Sequence, residues 1–159
     1  MALGVHFCEC TENTKAYKVA THRHTSEIEQ ELSEISGEDI ILSFTPPLIP
    51  PQSGILSTIY INLKGKYTTK EICELYKDFY KNEFFVRVQD EGERPETKHV
   101  AGSNFVDIGV CVDKRLDRAV VVSAIDNIVK GAAGQAVQNM NIIFGLDEKT
   151  ALDQAGFYL

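Results

Sequence analysis

Residues 68–79 carry the clearest helical pattern in the chain. Ile72, Leu75, Tyr76 and Phe79 recur at i, i+3, i+4 and i+7, and Thr68 with Glu71 forms a capping-box signature at the start. A second helix is predicted from Thr25 or Ser26. Either hydroxyl can cap it, Ser26 and Glu29 fit another capping box, Ile28, Leu32 and Ile35 line one face, and Gly37 ends it. Other stretches read as strands. Residues 54–63 are rich in β-branched side chains, and residues 105–112 and 118–125 flank a charged turn as a hairpin would. Residues 84–88 give a further strand, 39–44 a buried one, 17–20 a short one, and 5–10 a weak edge strand. The segment 45–51 holds Pro46, Pro47, Pro50 and Pro51 and is expected to be a stiff loop. Helices and strands mix without strict alternation. The expected class is therefore α+β, with a mixed, largely antiparallel sheet and helices packed on one face.

The last predicted helix, residues 128–144, has an unusual pattern. No charged residue occurs from Gly131 through Leu146, and its faces carry Ala132, Ala133, Ala136, Val137, Met140, Ile143 and Phe144. A surface helix of a small domain needs a polar face. Glycine inside a helix costs about 1 kcal/mol relative to alanine, so Gly131 and Gly134 imply close backbone approach. The expectation is a helix built to pack on two sides, one of its partners lying outside this chain.

Composition narrows the function classes. The chain has 159 residues, 43% hydrophobic and 25% charged, which is enough for one domain with a core. A formal net charge of −7 without any basic run argues against nucleic-acid binding. The longest apolar run, residues 119–122, is far too short to cross a bilayer. Met1-Ala2-Leu3-Gly4 lacks the features of a signal peptide, and the four cysteines are too sparse for a disulfide framework. A cytoplasmic protein with reduced thiols is expected.

Candidate chemistry concentrates in His22-Arg23-His24-Thr25-Ser26-Glu27, at a predicted strand-to-helix junction. Histidine suits general acid/base work because its reference pKa lies near 6.5. Arginine can hold a carboxylate at two points. Glu27 falls in the first helical turn, where it favours the helix dipole and is also placed to orient His24. The plain alternative is two surface histidines before a helix cap. His6, Cys8 and Cys10 would share a face of a strand and make zinc conceivable, but the usual Cys-x2-4-Cys spacing is missing, so no metal is expected. No cysteine sits beside a cation or at a helix start as a nucleophile should. No Gly-x-Gly-x-x-Gly follows a strand, so no dinucleotide fingerprint is present.

Several long motifs, in one order, resemble the C-terminal half of the N-acetyl-gamma-glutamyl-phosphate reductase family. They are Phe7-Cys8-Glu9-Cys10-Thr11-Glu12-Asn13, the His22 stretch, Phe44-Thr45-Pro46, Gly54-Ile55-Leu56-Ser57-Thr58-Ile59-Tyr60, Gly102-Ser103-Asn104-Phe105, Ser123-Ala124-Ile125-Asp126-Asn127, and residues 130–145. Such enzymes resemble aspartate-semialdehyde and glyceraldehyde-phosphate dehydrogenases, which join a Rossmann domain to an α+β substrate domain. The resemblance implies NADP-dependent reduction of N-acetylglutamyl phosphate, in arginine biosynthesis, through a cysteine thioester. It implies His24 as the acid/base, Glu27 as its supporting acid, and His22 and Arg23 as lining the substrate pocket. It also implies Gln135 beside the nicotinamide of NADP, and assembly as a homodimer or higher oligomer. The nucleophile's Gly-Asn-Pro-Gly-Cys-Tyr motif is absent, so the isolated chain is expected to be inactive. Ser26, Pro47 and Ser53 stand where proline, histidine and arginine are common in the family.

The expected organisation is a substrate-binding and dimerisation domain over residues 1–126, and a helix and tail over 127–159 that pack on a cofactor domain. The alternatives are a free-standing, non-enzymatic dimerisation or metabolite-binding module and a small zinc protein.

Overall fold

The computed structural model describes residues 6–157. The chain divides into two compact units, Met1–Gln52 and Ser53–Leu159. In the first unit, helix α1 (Phe7–Cys10) is a single turn, strand β1 is Lys15–Ala16, helix α2 is His24–Ser36, and strand β2 is Pro47–Leu48. β1 and β2 pair antiparallel, with Lys15 opposite Leu48 and Ala16 opposite Pro47. Gly37 ends α2 as expected, with φ at 71° and its amide donating to the Ser33 carbonyl at 2.9 Å.

Local bonding explains where this unit departs from the expected elements. Of the edge strand expected at 5–10, residues 6–10 form none, since Phe7–Cys10 is helical; Met1 to Val5 lie outside the described residues. Residues 17–20 form a turn, because Lys18 and Ala20 take positive φ values of 46° and 53°, which no strand accommodates. Residues 39–44 form no strand. Their amides bond to side chains of α2: Ile40 donates to Ser33 Oγ at 2.9 Å and Leu42 to Glu29 Oε1 at 3.1 Å. Glu29 is thereby drawn away from the capping box expected of it, and Ser26 Oγ donates instead to the Arg23 carbonyl at 3.3 Å. On the apolar face of α2, Ile28 is half-buried, whereas Leu32 is 43% and Ile35 80% exposed, so the face is only partly covered.

The second unit is built on a sheet. Strand β3 is Ile55–Asn62, helix α3 Thr69–Phe79, strand β4 Val86–Val88, helix α4 Thr97–Val100, strand β5 Val106–Asp113 and strand β6 Arg118–Ile125. A turn of π-helix, Val129–Ala133, leads into helix α5, Gly134–Ile143. The strand order is β3-β6-β5-β4, antiparallel except for the β4–β5 pair. The expected hairpin of β5 and β6 and the mixed sheet are present.

The core forms where α3 meets the sheet. Ile72 and Cys73 are buried against Ile108, Val110, Val112 and Val121. These sheet positions fall on one face because side chains alternate along a strand. The capping box of α3 is complete: Glu71 N–H donates to Thr68 Oγ1 at 3.2 Å, and Thr68 N–H to Glu71 Oε2 at 2.7 Å. Its predicted stripe is only partly used, since Leu75 and Phe79 remain exposed while Cys73 is buried. The opposite sheet face is covered at β5 by chain rather than by a long helix. A side chain at Gly109 would meet Pro95 Cδ at 2.7 Å, so glycine there lets residues 93–95 lie on the strand. On this side Arg87 reaches the His99 carbonyl of the short α4 at 3.3 Å.

Asp126, buried at the end of β6, joins three segments. Its Oδ1 accepts the amides of Ile128 and Val129 at 2.7 and 3.1 Å, and its Oδ2 accepts that of Gly102 at 2.7 Å. Burial pushes its carboxyl up, but the amides of Gly102, Val129 and Ile128 outweigh that and hold it below its ordinary value. The neighbouring Asn127 accepts the Gly54 amide at the start of β3. The C-terminal segment returns to the same place, with the Phe157 amide donating to the Ala101 carbonyl at 2.7 Å.

Substituting Asp126→Ala is expected to lower the unfolding free energy by about 2–4 kcal/mol, since buried amides are left unpaired. Urea denaturation checks this, and a loss below about 0.5 kcal/mol, the level of a neutral surface change, would show the amides find other partners. Because the folded carboxyl titrates low, its contribution is present above the unfolded value of about 3.9. It is lost as pH falls through the lower folded value.

Candidate functional site

The candidate residues of the first unit come together through the turn that replaces the expected strand. β1 ends at Ala16, and the Tyr17 amide donates to the Pro46 carbonyl at 3.3 Å. The chain then reverses through Lys18 and Ala20, with the Thr21 amide donating to the Lys18 carbonyl at 3.1 Å. Left-handed backbone at residues with a Cβ costs about 1–2 kcal/mol each, and it brings the His22 ring back to Tyr17. Tyr17 Oη and His22 Nε2 are 2.6 Å apart. The edge of Phe44 meets the same ring, with centroids 5.1 Å apart. His22 is buried at 7% exposure, and its pKa is lowered by burial and then by His24, Lys18 and Arg23.

α2 begins directly after this ring. Arg23 is its N-cap residue in helical conformation, without a side-chain cap, and His24 is its first residue. The His22 and His24 rings meet edge-on, with centroids 4.7 Å apart. Arg23, His24 and Glu27 are exposed. His24 and Glu27 are three residues apart on the helix and so are surface neighbours. The structure thus brings His22 and His24 into contact and places Arg23 and Glu27 in the same first turn. An exposed imidazole beside a guanidinium and a carboxylate can pass a proton while an anion is held.

Gln135 belongs to the second unit, in the first turn of α5. It is half-buried, and its Nε2 donates to Asn139 Oδ1 at 3.1 Å. The helix around it leaves Met140, Ile142, Ile143 and Phe144 between 45% and 78% exposed, as its uncharged sequence led one to expect. Beneath it lies a polar network the sequence did not disclose. Gln138 Oε1 accepts Asn104 Nδ2 at 2.9 Å and Lys130 Nζ at 2.7 Å, and Gln138 Nε2 donates to Glu148 Oε2 at 3.2 Å. Burial pulls the Lys130 ammonium below its ordinary value. Tyr17 was also missed, because a lone tyrosine five residues from a histidine carries no spacing signal.

Among the described residues no cluster of His, Cys, Asp and Glu could hold a metal ion. His6, Cys8 and Cys10 lie along a helical turn, so the shared strand face that made zinc conceivable does not form. No helix among the described residues is long and apolar enough to cross a membrane.

The family described as semialdehyde dehydrogenase, dimerisation domain, matches residues 1–127. The chain belongs to this family. N-acetyl-gamma-glutamyl-phosphate reductase of Acetivibrio thermocellus is 63% identical over 157 residues, 99% of this chain and 45% of that protein. The enzyme of the same name from Pelotomaculum thermopropionicum is 58% identical over 158 residues, 99% of this chain and 46% of its own length. The chain thus spans less than half the length of these relatives. Aspartate semialdehyde dehydrogenase II from Vibrio cholerae superposes with a TM-score of 0.69 at 16% identity, over 86% of this chain and 42% of that one. That likeness shows the fold of this semialdehyde dehydrogenase domain.

Thiol labelling of the folded domain should distinguish its cysteines. Cys8 is exposed, whereas Cys73 is buried and its thiol is pushed up by burial. Iodoacetamide followed by peptide mass mapping is expected to modify Cys8 readily and Cys73 only in denaturant. Equal rates at both would contradict the packing of α3.

Proposed function

We propose that this chain is the substrate-binding and dimerisation part of an NADP-dependent N-acetyl-gamma-glutamyl-phosphate reductase. The observation that carries the reading is the exposed His24 in the first turn of α2, beside Arg23 and Glu27, in a chain 63% identical to a reductase of that name. His24 acts as the acid/base: it protonates the substrate oxygen as the acyl carbon is reduced and takes the proton back in reverse. Glu27 supports the imidazolium. Arg23 holds the acidic substrate, N-acetylglutamyl phosphate, and His22 lines the same pocket through the edge of its ring. Gln135 approaches the nicotinamide. NADP would be held mainly by a Rossmann domain and, in its reduced form NADPH, would supply the hydride. Residues 127–159 serve that domain, and the exposed apolar side of α5 is the surface it covers.

A likeness to dimerisation domains also accounts for β3. This edge strand is exposed on both faces: Ile55, Leu56, Ile59, Tyr60 and Ile61 are between 41% and 66% exposed. A long apolar edge strand left bare invites aggregation. A second copy of the chain is the occupant proposed here.

Three measurements test the reading. Joined behind the cofactor domain of the Acetivibrio thermocellus relative, the chain is expected to support NADPH-dependent reduction, while the chain alone shows none. In that fusion His24→Ala is expected to lower kcat by about 100-fold or more. A folded fusion without activity, or a His24→Ala variant of full activity, would overturn the assignment. Light scattering is expected to give a dimer, and the double change Leu56→Asp, Tyr60→Asp a monomer; a monomeric parent chain at high concentration would contradict the role given to β3.

A further inference from the structure

The ring of His22 has a fixed protonation state that can be read from its partners. The His24 backbone amide donates to His22 Nδ1 at 3.1 Å. A backbone N–H can only donate, so Nδ1 carries a lone pair. A neutral imidazole with a bare Nδ1 holds its proton on Nε2. That proton points to Tyr17 Oη, 2.6 Å away. Both nitrogens are therefore committed within the chain, one as acceptor and one as donor. The same residue also accepts the next amide, since Thr25 N–H donates to the His22 carbonyl at 3.0 Å. Amides at the start of a helix have no partner inside it. Here one histidine satisfies two of them, where a serine or aspartate usually would.

We propose that Tyr17 and His22 are positioning residues for His24: the phenol fixes the His22 tautomer, and the ring in turn holds the His24 amide and the first turn of α2. The hydrogen bonds stand by themselves; only the catalytic consequence rests on the reductase reading. Tyr17 comes to His22 through the strained turn at Lys18 and Ala20, and Phe44 closes the ring from the other side. The edge-on contact of the two imidazoles then sets the direction of His24. Acid undoes the arrangement. A second proton must go to Nδ1, where it faces the His24 N–H and the bond is lost. The titratable and charged groups around the ring are Tyr17, Lys18, Arg23 and His24, and Phe44 adds none. Burial first, and then His24, Lys18 and Arg23, oppose that proton. The His24 amide is thus held at neutral pH and released only when the ring is charged.

The test uses the full chain and does not require activity. Nitrogen-detected NMR of the histidine rings is expected to show His22 with Nδ1 unprotonated and Nε2 protonated at neutral pH, titrating below the ordinary histidine value. Tyr17→Phe keeps the ring and removes only the oxygen. It is expected to let the second tautomer appear and to speed hydrogen exchange at the His24 amide by about fivefold to tenfold, the loss of one hydrogen bond. His22→Asn restores an acceptor near the Nδ1 position and is expected to keep that amide protected, whereas His22→Ala is not. In the active fusion, Tyr17→Phe is expected to lower kcat with KM little changed. The proposal is overturned if Nδ1 is the protonated nitrogen, or if His24 exchange is the same in the parent, Tyr17→Phe and His22→Asn proteins. An inactive fusion with the expected NMR pattern would count against the reductase reading alone.

Discussion

The carboxylate of Asp126 is the interaction on which the larger unit depends. It gathers the end of β6, the loop at Gly102 and the start of the π-turn. Apolar packing is not directional and could not set their relative angles. Three amides converging on one buried anion can, because each would be costly to bury unpaired. The last helix inherits its direction from this point, and with it Gln135. The returning chain at Phe157 closes over the same loop: a side chain on Gly102, whose φ is 73°, would meet the Phe157 ring at 2.2 Å.

The first unit uses a different device. Among its described residues there is no broad core, and α2 buries no residue completely. Its order comes from hydrogen bonds that cross between segments: Glu29 and Ser33 hold residues 40–42, and His22 holds the head of α2. Such a unit places polar groups accurately while leaving large surfaces bare. On the proposed reading those surfaces meet the rest of a reductase, and the chemistry is divided between an acid/base and anion-binding turn here and a nucleophile and cofactor elsewhere.

What could be read from the sequence follows the range of the forces involved. The capping box of Thr68 and Glu71, the Gly37 stop and the β5–β6 hairpin are local and were legible. The α+β class and the uncovered last helix were legible because composition and periodicity report burial. The strand expected at residues 39–44 failed because its amides found side chains of α2 instead of a neighbouring strand. The positive φ of Lys18 and Ala20 had no glycine to announce it, so the turn that brings Tyr17 to His22 stayed hidden. The chemical residues His22, Arg23, His24 and Glu27 stood out as a cluster; what each nitrogen of His22 does required coordinates.

The π-turn at Val129–Ala133 has a consequence for how α5 is numbered around its axis. Widening one turn to an i to i+5 bond inserts a residue, and each helical residue turns the chain by about 100°. A helical wheel drawn through Asp126 and onward is therefore out of phase from Gly134. Gly134 sits at the seam, where a side chain would strike Asn104 Oδ1 at 2.4 Å and the Val129 carbonyl at 2.8 Å. A single-residue deletion in this turn would restore a regular α-helix and swing Gln135 and the uncharged face of α5 about a quarter-turn away from their present direction. The wide turn thus acts as a phase-setter: chain length within one turn, rather than the identity of any side chain, decides which residues the helix presents.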